Sequence, residues 1–205
     1  MDRRPTLLTP RLLMRRWSSA DGEPLAALNA DPEVMRFFPA PLSRAQTELM
    51  IERIEAGFER DGYGLWALEL RDSGELAGFA GLSRATFAAH FTPAVEVGWR
   101  LARRHWGHGY ATEAGRAALA FGFEHVGLHE IVSFTAVANE RSQAVMERLA
   151  LIRDEHGDFD HPLVAGARGL RRHVLYRISA ARWAREASRA AEPTSRPQGP
   201  ALAGP

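Results

Sequence analysis

The stretch with the clearest chemistry is Arg103-Arg104-His105-Trp106-Gly107-His108-Gly109-Tyr110-Ala111-Thr112-Glu113-Ala114. A strand-like run, Val95 to Ala102, leads into it, and a helix-like run, Tyr110 to Val126, leads out. The first turn of a helix carries backbone N–H groups without intrahelical partners, and the helix dipole adds partial positive charge there. A glycine-rich turn at such a junction therefore suits an anion. Gly107 and Gly109 lack a Cβ, so positive φ is tolerated and a phosphate can approach closely. Arg103, Arg104 and the aromatic Trp106 flank the turn. The expected ligand at residues 104–112 carries a pyrophosphate.

Three phosphate-binding patterns bear on this stretch. No Gly-Lys-Ser/Thr follows, so it is not a P-loop. As G-x-G-x-x-G it is incomplete, because Thr112 occupies the third glycine position. The pattern Arg104-x-x-Gly107-x-Gly109, after a strand ending in Trp99-Arg100-Leu101, fits better. It resembles the acetyl-coenzyme A loop of the GNAT N-acetyltransferase superfamily, Q/R-x-x-G-x-G/A. The longer run Trp106-Gly107-His108-Gly109-Tyr110-Ala111-Thr112-Glu113-Ala114 resembles the ribosomal-protein N-acetyltransferase (RimJ/RimL) branch.

The resemblance spans about residues 7–178 and implies roles for particular residues. Main-chain amides of Gly107, His108, Gly109, Tyr110, Ala111 and Thr112, beside Trp106, would hold the diphosphate of acetyl-coenzyme A. The pantetheine arm would lie along Trp99, Arg100 and Leu101, bonding their free backbone groups like an added strand. Arg103 and Arg104 read either as phosphate contacts or as solvated surface arginines. Asn139, in Asn139-Glu140-Arg141-Ser142, would hydrogen-bond the pantetheine; it also suits the N-cap of the helix that follows. Ser142 would protonate the leaving thiolate, as proposed for the serine of this branch. Many relatives use a tyrosine four residues later, where this chain has Met146. Glu96 would be the base, acting on the amine directly or through water; a surface or salt-bridged glutamate is the other reading. Backbone N–H groups of strand 96–101 would stabilise the tetrahedral oxyanion.

Other titratable residues read as structural. Glu113 stands in a first helical turn, where the dipole favours an acid. The eight histidines form no convincing metal set, and none is expected. His90, His161 and His173 are possible acceptor-pocket residues. No Gly-x-Ser-x-Gly elbow is present. Without cysteine there is no disulfide, thiolate metal ligand or cysteine nucleophile. Direct attack by the amine in a ternary complex is then simpler than a covalent relay.

The elements that must position these residues are legible in outline. Leu7 to Trp17 reads as a first strand, with Pro10 marking an edge or bulge. Ser18-Ser19-Ala20-Asp21 offers N-caps for a helix through Asn29. Asp31-Pro32 opens a short helical turn to Phe38, ended by Pro39-Ala40-Pro41. Ser43 caps a helix to about Arg60. Gly64 to Arg71 and Leu76 to Arg84 read as a hairpin across Asp72-Ser73-Gly74-Glu75. In Val95–Ala102, Val95, Val97, Trp99 and Leu101 alternate with Glu96, Gly98 and Arg100, so the two sets lie on opposite faces. Ile131 to Ala138 is a strand and Asn139 to Leu149 a short helix. A strand begins at Leu151, a polar loop covers 154–170, His173 to Ile178 is the last strand, and Ala180 to Arg189 is helical. Meandering strands come first and strand–helix units follow, which predicts an α/β (α+β) fold: a mixed, mostly antiparallel sheet flanked by helices. It lacks the alternating units a doubly wound dinucleotide fold needs on both sides of the loop.

At 205 residues one domain is expected, residues 1–185, with a disordered tail over 186–205. A net charge of +1 gives no electrostatic case for nucleic acid or an anionic membrane. No run reaches the roughly 18–20 apolar residues of a membrane span, and Met1-Asp2-Arg3-Arg4-Pro5 leads into no secretory core, so a cytoplasmic location is expected. The expected partners are acetyl-coenzyme A and an amine acceptor, either a protein N-terminus or a small molecule, with a monomer or homodimer as assembly. A non-catalytic acyl-coenzyme A-binding module is the alternative. The acceptor should face segments 31–45, 84–94 and 154–170.

Overall fold

The computed structural model describes residues 5–164 and 169–191. Within them nine strands form one sheet: β1 (Leu7–Leu8), β2 (Leu12–Arg15), β3 (Leu65–Leu70), β4 (Leu76–Arg84), β5 (Val95–Leu101), β6 (Glu130–Ala136), β7 (Ile152–Arg153), β8 (Phe159–Asp160) and β9 (Arg172–Ser179). The order is β1-β2-β3-β4-β5-β6-β9-β7, with β8 also on β9. Every pairing is antiparallel except β5 with β6. Five helices cover the sheet: α1 (Gly22–Ala30), α2 (Arg44–Asp61), α3 (Tyr110–Ala120), α4 (Glu140–Arg148) and α5 (Ala180–Ala191). This is the mixed, mostly antiparallel sheet with flanking helices that the order of elements predicts.

Local chemistry explains most boundaries. Ser43 and Gln46 form a capping box at the start of α2, and Gly62 ends it in the left-handed conformation at φ 76°. Four regions depart from expectation. The predicted first strand is two short ones, because Thr9 N bonds Leu12 O and Thr9 Oγ1 accepts from Leu12 N around Pro10, turning the chain back on itself. The helix from Tyr110 does not continue uniformly to Val126: a π turn takes over at Phe121–His125. Apolar spacing at three and four residues cannot reveal one widened turn. The expected helical turn at 32–38 is a series of turns, and α5 runs to Ala191, beyond the expected end of the domain. The rest of the expected tail lies outside the described residues.

Strand alternation sends β5 into two different packing layers. Val97 and Leu101 join Ala80, Leu82 and the α3 residues Ala114, Ala118 and Leu119 in the main core. Glu96, Gly98 and Arg100 point to the opposite face, where Leu25 and Leu28 of α1 and Val34 of the turn after it cluster with Phe79, with Met50 and Ile51 of α2 packed against them. Leu119 is fully buried and anchors α3 to the sheet. Leu119→Ala should cost about 2–5 kcal/mol. Urea unfolding should show a lowered midpoint; an unchanged midpoint would mean that α3 does not depend on this contact.

Candidate active site

The site grows from a fault in the sheet. β5 and β6 share one register pair, Glu96↔Val132, and then separate. Ser133 Oγ donates to Val97 O at 2.8 Å and closes the apex. Backbone groups of a strand alternate in direction. Ala102 N bonds Ala77 O on β4, so Arg100 directs its backbone to β4 as well. Val97 O and Leu101 O face the other way, and the Trp99 N–H and C=O between them therefore face the opening. Leu101 O is already taken by Trp106 Nε1 at 2.9 Å. Of the three residues expected to offer backbone to a ligand, Trp99 is the best placed.

Two helix N-termini stand at the wide end of the opening. α3 begins after β5 and α4 begins after β6. Gly107 and Gly109 have φ of 81° and 80°, a region costly for residues with a Cβ. The first helical bond is Glu113 N to Gly109 O; among the described residues no backbone N–H from Gly107 to Thr112 finds a partner. The residues beside this turn divide. Trp106 is half-buried and lies under Arg141, whose guanidinium carbon is 4.8 Å from the ring, so the two span the mouth. His105 is buried, its Nε2 unbonded 3.7 Å from Glu75; burial, with Arg104 nearby, pushes the imidazole down. Arg104 also leans to Glu75 at 3.9 Å. Arg103 and Arg104 line a shallow groove against α1.

Arg11 is a site residue that sequence reading missed. Its Nη1 donates to His108 O at 2.8 Å, its guanidinium lies 4.8 Å over the Tyr110 ring, and it pairs with Glu113. Glu113 Oε1 also accepts from Thr9 Oγ1 and Arg11 N. The β1–β2 turn is thus clasped to the glycine turn across about a hundred residues of chain. No local signal marks Arg11, because its partners are distant in sequence.

Asn139 and Ser142 lie at the start of α4. Asn139 Oδ1 accepts from Ser142 N at 3.3 Å, and Nδ2 donates to Thr135 Oγ1 at 2.8 Å. The capping reading of Asn139 is therefore realised. The Ser142 hydroxyl has no partner among the described residues, whereas Met146 is buried in the core. Glu96 sits at the apex of the split. It keeps partial contact with solvent, yet burial pushes its carboxyl up to about 8.

Beyond Glu96 the same sheet face carries an aromatic wall. Phe87, Phe91, Phe134 and Phe159 pack together, with His161 4.4 Å from Phe87 and 4.9 Å from His173. Burial pushes His161 down to about 4, with His173 adding to it, and lowers His173 as well, so both are neutral near pH 7. His90 packs edge-on to Phe91. Among the described residues no group of three or more His, Asp or Glu could hold a metal, and no helix is long and apolar enough to cross a membrane.

With this geometry in place, the class of protein is clear: a profile of the acetyltransferase (GNAT) domain matches residues 11–151, and the chain belongs to that family. The uncharacterized protein YkkB of Bacillus subtilis is 30% identical over 155 residues, covering 74% of this chain and 87% of YkkB. The FsC-acetyl coenzyme A-N(2)-transacetylase of Aspergillus fumigatus is 28% identical over 190 residues, covering 88% and 79%. A crystal structure of an acetyltransferase from Agrobacterium tumefaciens superposes with a TM-score of 0.70 at 29% identity, covering 85% and 94%.

The clasp on the glycine turn has a pH signature. Burial tends to raise the Glu113 carboxyl, but the bonds from Thr9 and Arg11 outweigh it and hold the group below its ordinary 4.5. A depressed carboxylate stabilises the fold above its unfolded pKa and loses that contribution as pH falls through the folded value. Glu113→Gln should therefore be less stable than the parent at pH 7, with the gap narrowing below about 4.5. A gap that stays constant with pH, measured by urea unfolding, would refute the clasp as an ionic contact.

Proposed function

We propose that this GNAT acetyltransferase moves an acetyl group from acetyl-coenzyme A to a primary amine by direct attack in a ternary complex. The observation that carries the proposal is the row of unpartnered amides from Gly107 to Thr112 at the start of α3, opening onto the gap between β5 and β6. Such a row suits a diphosphate, because each N–H supplies a donor and the helix dipole adds to them. From there the pantetheine would pass between the strands, with Trp99 N–H and C=O as its main-chain partners, and the thioester would come to rest near Glu96. Tyr110, Ala111 and His108 belong to the same cradle through their backbone.

The amine nitrogen would then attack the thioester carbonyl carbon, the C–S bond would break, and one proton would pass from nitrogen to Glu96. The thiolate would take a proton from Ser142, whose hydroxyl is uncommitted, and the serine would recover one from solvent as Glu96 releases the amine proton there. Free thiols ionise near pH 8.5, so the thiolate leaves with little acid assistance. An acceptor of the ribosomal-protein type, a protein N-terminal α-amine, and a small-molecule amine are both compatible with the site.

Acetyl-coenzyme A at about a hundred times its Kd should stabilise the protein by about 2.7 kcal/mol, visible as a rise in melting temperature. Gly109→Ala forces a Cβ into left-handed backbone at a cost of about 1–2 kcal/mol and should shrink that rise. No shift at millimolar ligand would sink the proposal.

Glu96 must be deprotonated to act. With a weakly basic amine as acceptor, kcat/KM should climb as pH passes through about 8. Glu96→Gln should lower the rate about a hundredfold and abolish that limb. Tight coenzyme binding with no thiol release, and no effect of Glu96→Gln, would instead mark a binding module.

A further inference from the structure

Arg100 is a half-buried cation without an ion-pair partner among the described residues. It follows Glu96 on the same face of β5, with only Gly98 between them. Its Nη1 donates to Asn29 Oδ1 at 2.6 Å, and Asn29, fully buried, is held in turn by Thr47 at 3.1 Å. Phe38 lies 4.1 Å over the guanidinium carbon and Phe79 packs 5.2 Å from it. No carboxylate comes within ion-pair distance among the described residues, and burial pulls the group down to about 10. Asn29 is neutral, so the positive charge has no counter-ion.

The two unpaired nitrogens are the informative ones. Nε is buried without a hydrogen bond, and among the described residues the one side-chain bond of Arg100 is that from Nη1, so Nη2 makes none. Nε–H and Nη2–H form the side of a guanidinium that grips a carboxylate with two parallel bonds. Asn29 thus fixes Nη1 and leaves the bidentate edge free. Arg100 Nε is shut off from solvent, but there is room beside it in sequence: a Cβ built on Gly98 would meet nothing nearer than Glu96 Oε1, at 3.5 Å. The Glu96 carboxyl therefore folds over Gly98 towards Arg100, but the two do not pair. A carboxyl and a guanidinium, each costly to bury alone, face one floor without touching.

We infer that the acceptor is an amine that also carries a carboxylate, with the amine at Glu96 and the carboxylate on the Nε–Nη2 edge of Arg100. This rests on the acetyl-transfer reading above and narrows it. Such an acceptor completes both groups at once: its carboxylate neutralises the guanidinium and its amine meets the base. A polycationic amine gains nothing from this arrangement, because it would bring further positive charge to Arg100. Phe38, 38% exposed on the turn after α1, covers the guanidinium and would shift as the carboxylate seats.

The test uses the full chain, acetyl-coenzyme A and free amino acids paired with their own amides, read by coenzyme A release. The free acid of a pair should be used with kcat/KM about ten to a hundred times that of its amide, the span expected for bonds to a charged group. Arg100→Met should erase that preference while the melting shift with acetyl-coenzyme A is unchanged, and Arg100→Lys should restore part of it. Equal use of acid and amide, preference for the amide, or coenzyme binding with no release from any pair would each overturn the inference. If Arg100→Met fails to fold, the acid-to-amide ratio of the parent protein decides alone. Absence of any acetyl-coenzyme A shift would instead remove the acetyl-transfer reading beneath it.

Discussion

A β-sheet satisfies its backbone by pairing each strand with two neighbours. Here β5 keeps one neighbour, β4, along its whole length and loses the other after a single pair with β6. Buried backbone that is left unpaired costs free energy comparable to a lost hydrogen bond. The protein limits that cost with side chains: Ser133 on Val97 O at the apex and Trp106 on Leu101 O at the mouth. What stays open between them is Trp99, a main-chain donor and acceptor inside the fold with no strand to meet them.

The rest of the architecture follows from keeping that gap open and placed. α3 packs Ala114, Ala118 and Leu119 on one side of β5, which sets its unpaired amides at the mouth. Small residues at the first two positions let helix and sheet approach closely. The Arg11–Glu113 clasp ties the glycine turn to the far edge strand. α4 enters from β6, with Asn139 holding its first turn and Ser142 turned free. The same strand also carries Glu96 and Arg100 on one face, so one seven-residue segment brings these side chains and the unpaired Trp99 backbone together through its period of two.

The two faces differ in how they treat charge. On the glycine turn, partial charges of backbone amides are left for an anion at little cost, since they border solvent. On the Glu96–Arg100 face, two ionisable side chains are held in a poorly hydrated cleft. Loss of hydration moves the carboxyl up and the guanidinium down, each towards its neutral form. Neutral His161 and His173 in the aromatic wall follow the same rule.

The glycine turn was legible in the sequence because it is local. Gly107 and Gly109 announce left-handed backbone, and the strand before and helix after them are readable from periodicity. Helix caps such as Ser43 with Gln46, and the opposed faces of β5, are local for the same reason: they depend on residues within a turn or a strand of each other. The split between β5 and β6, the Arg11 clasp and the missing counter-ion of Arg100 were not legible. Each is a relation between segments tens of residues apart, or the absence of one, and only packing decides which strand stops pairing, which arginine reaches a turn and which buried charge is left without a partner.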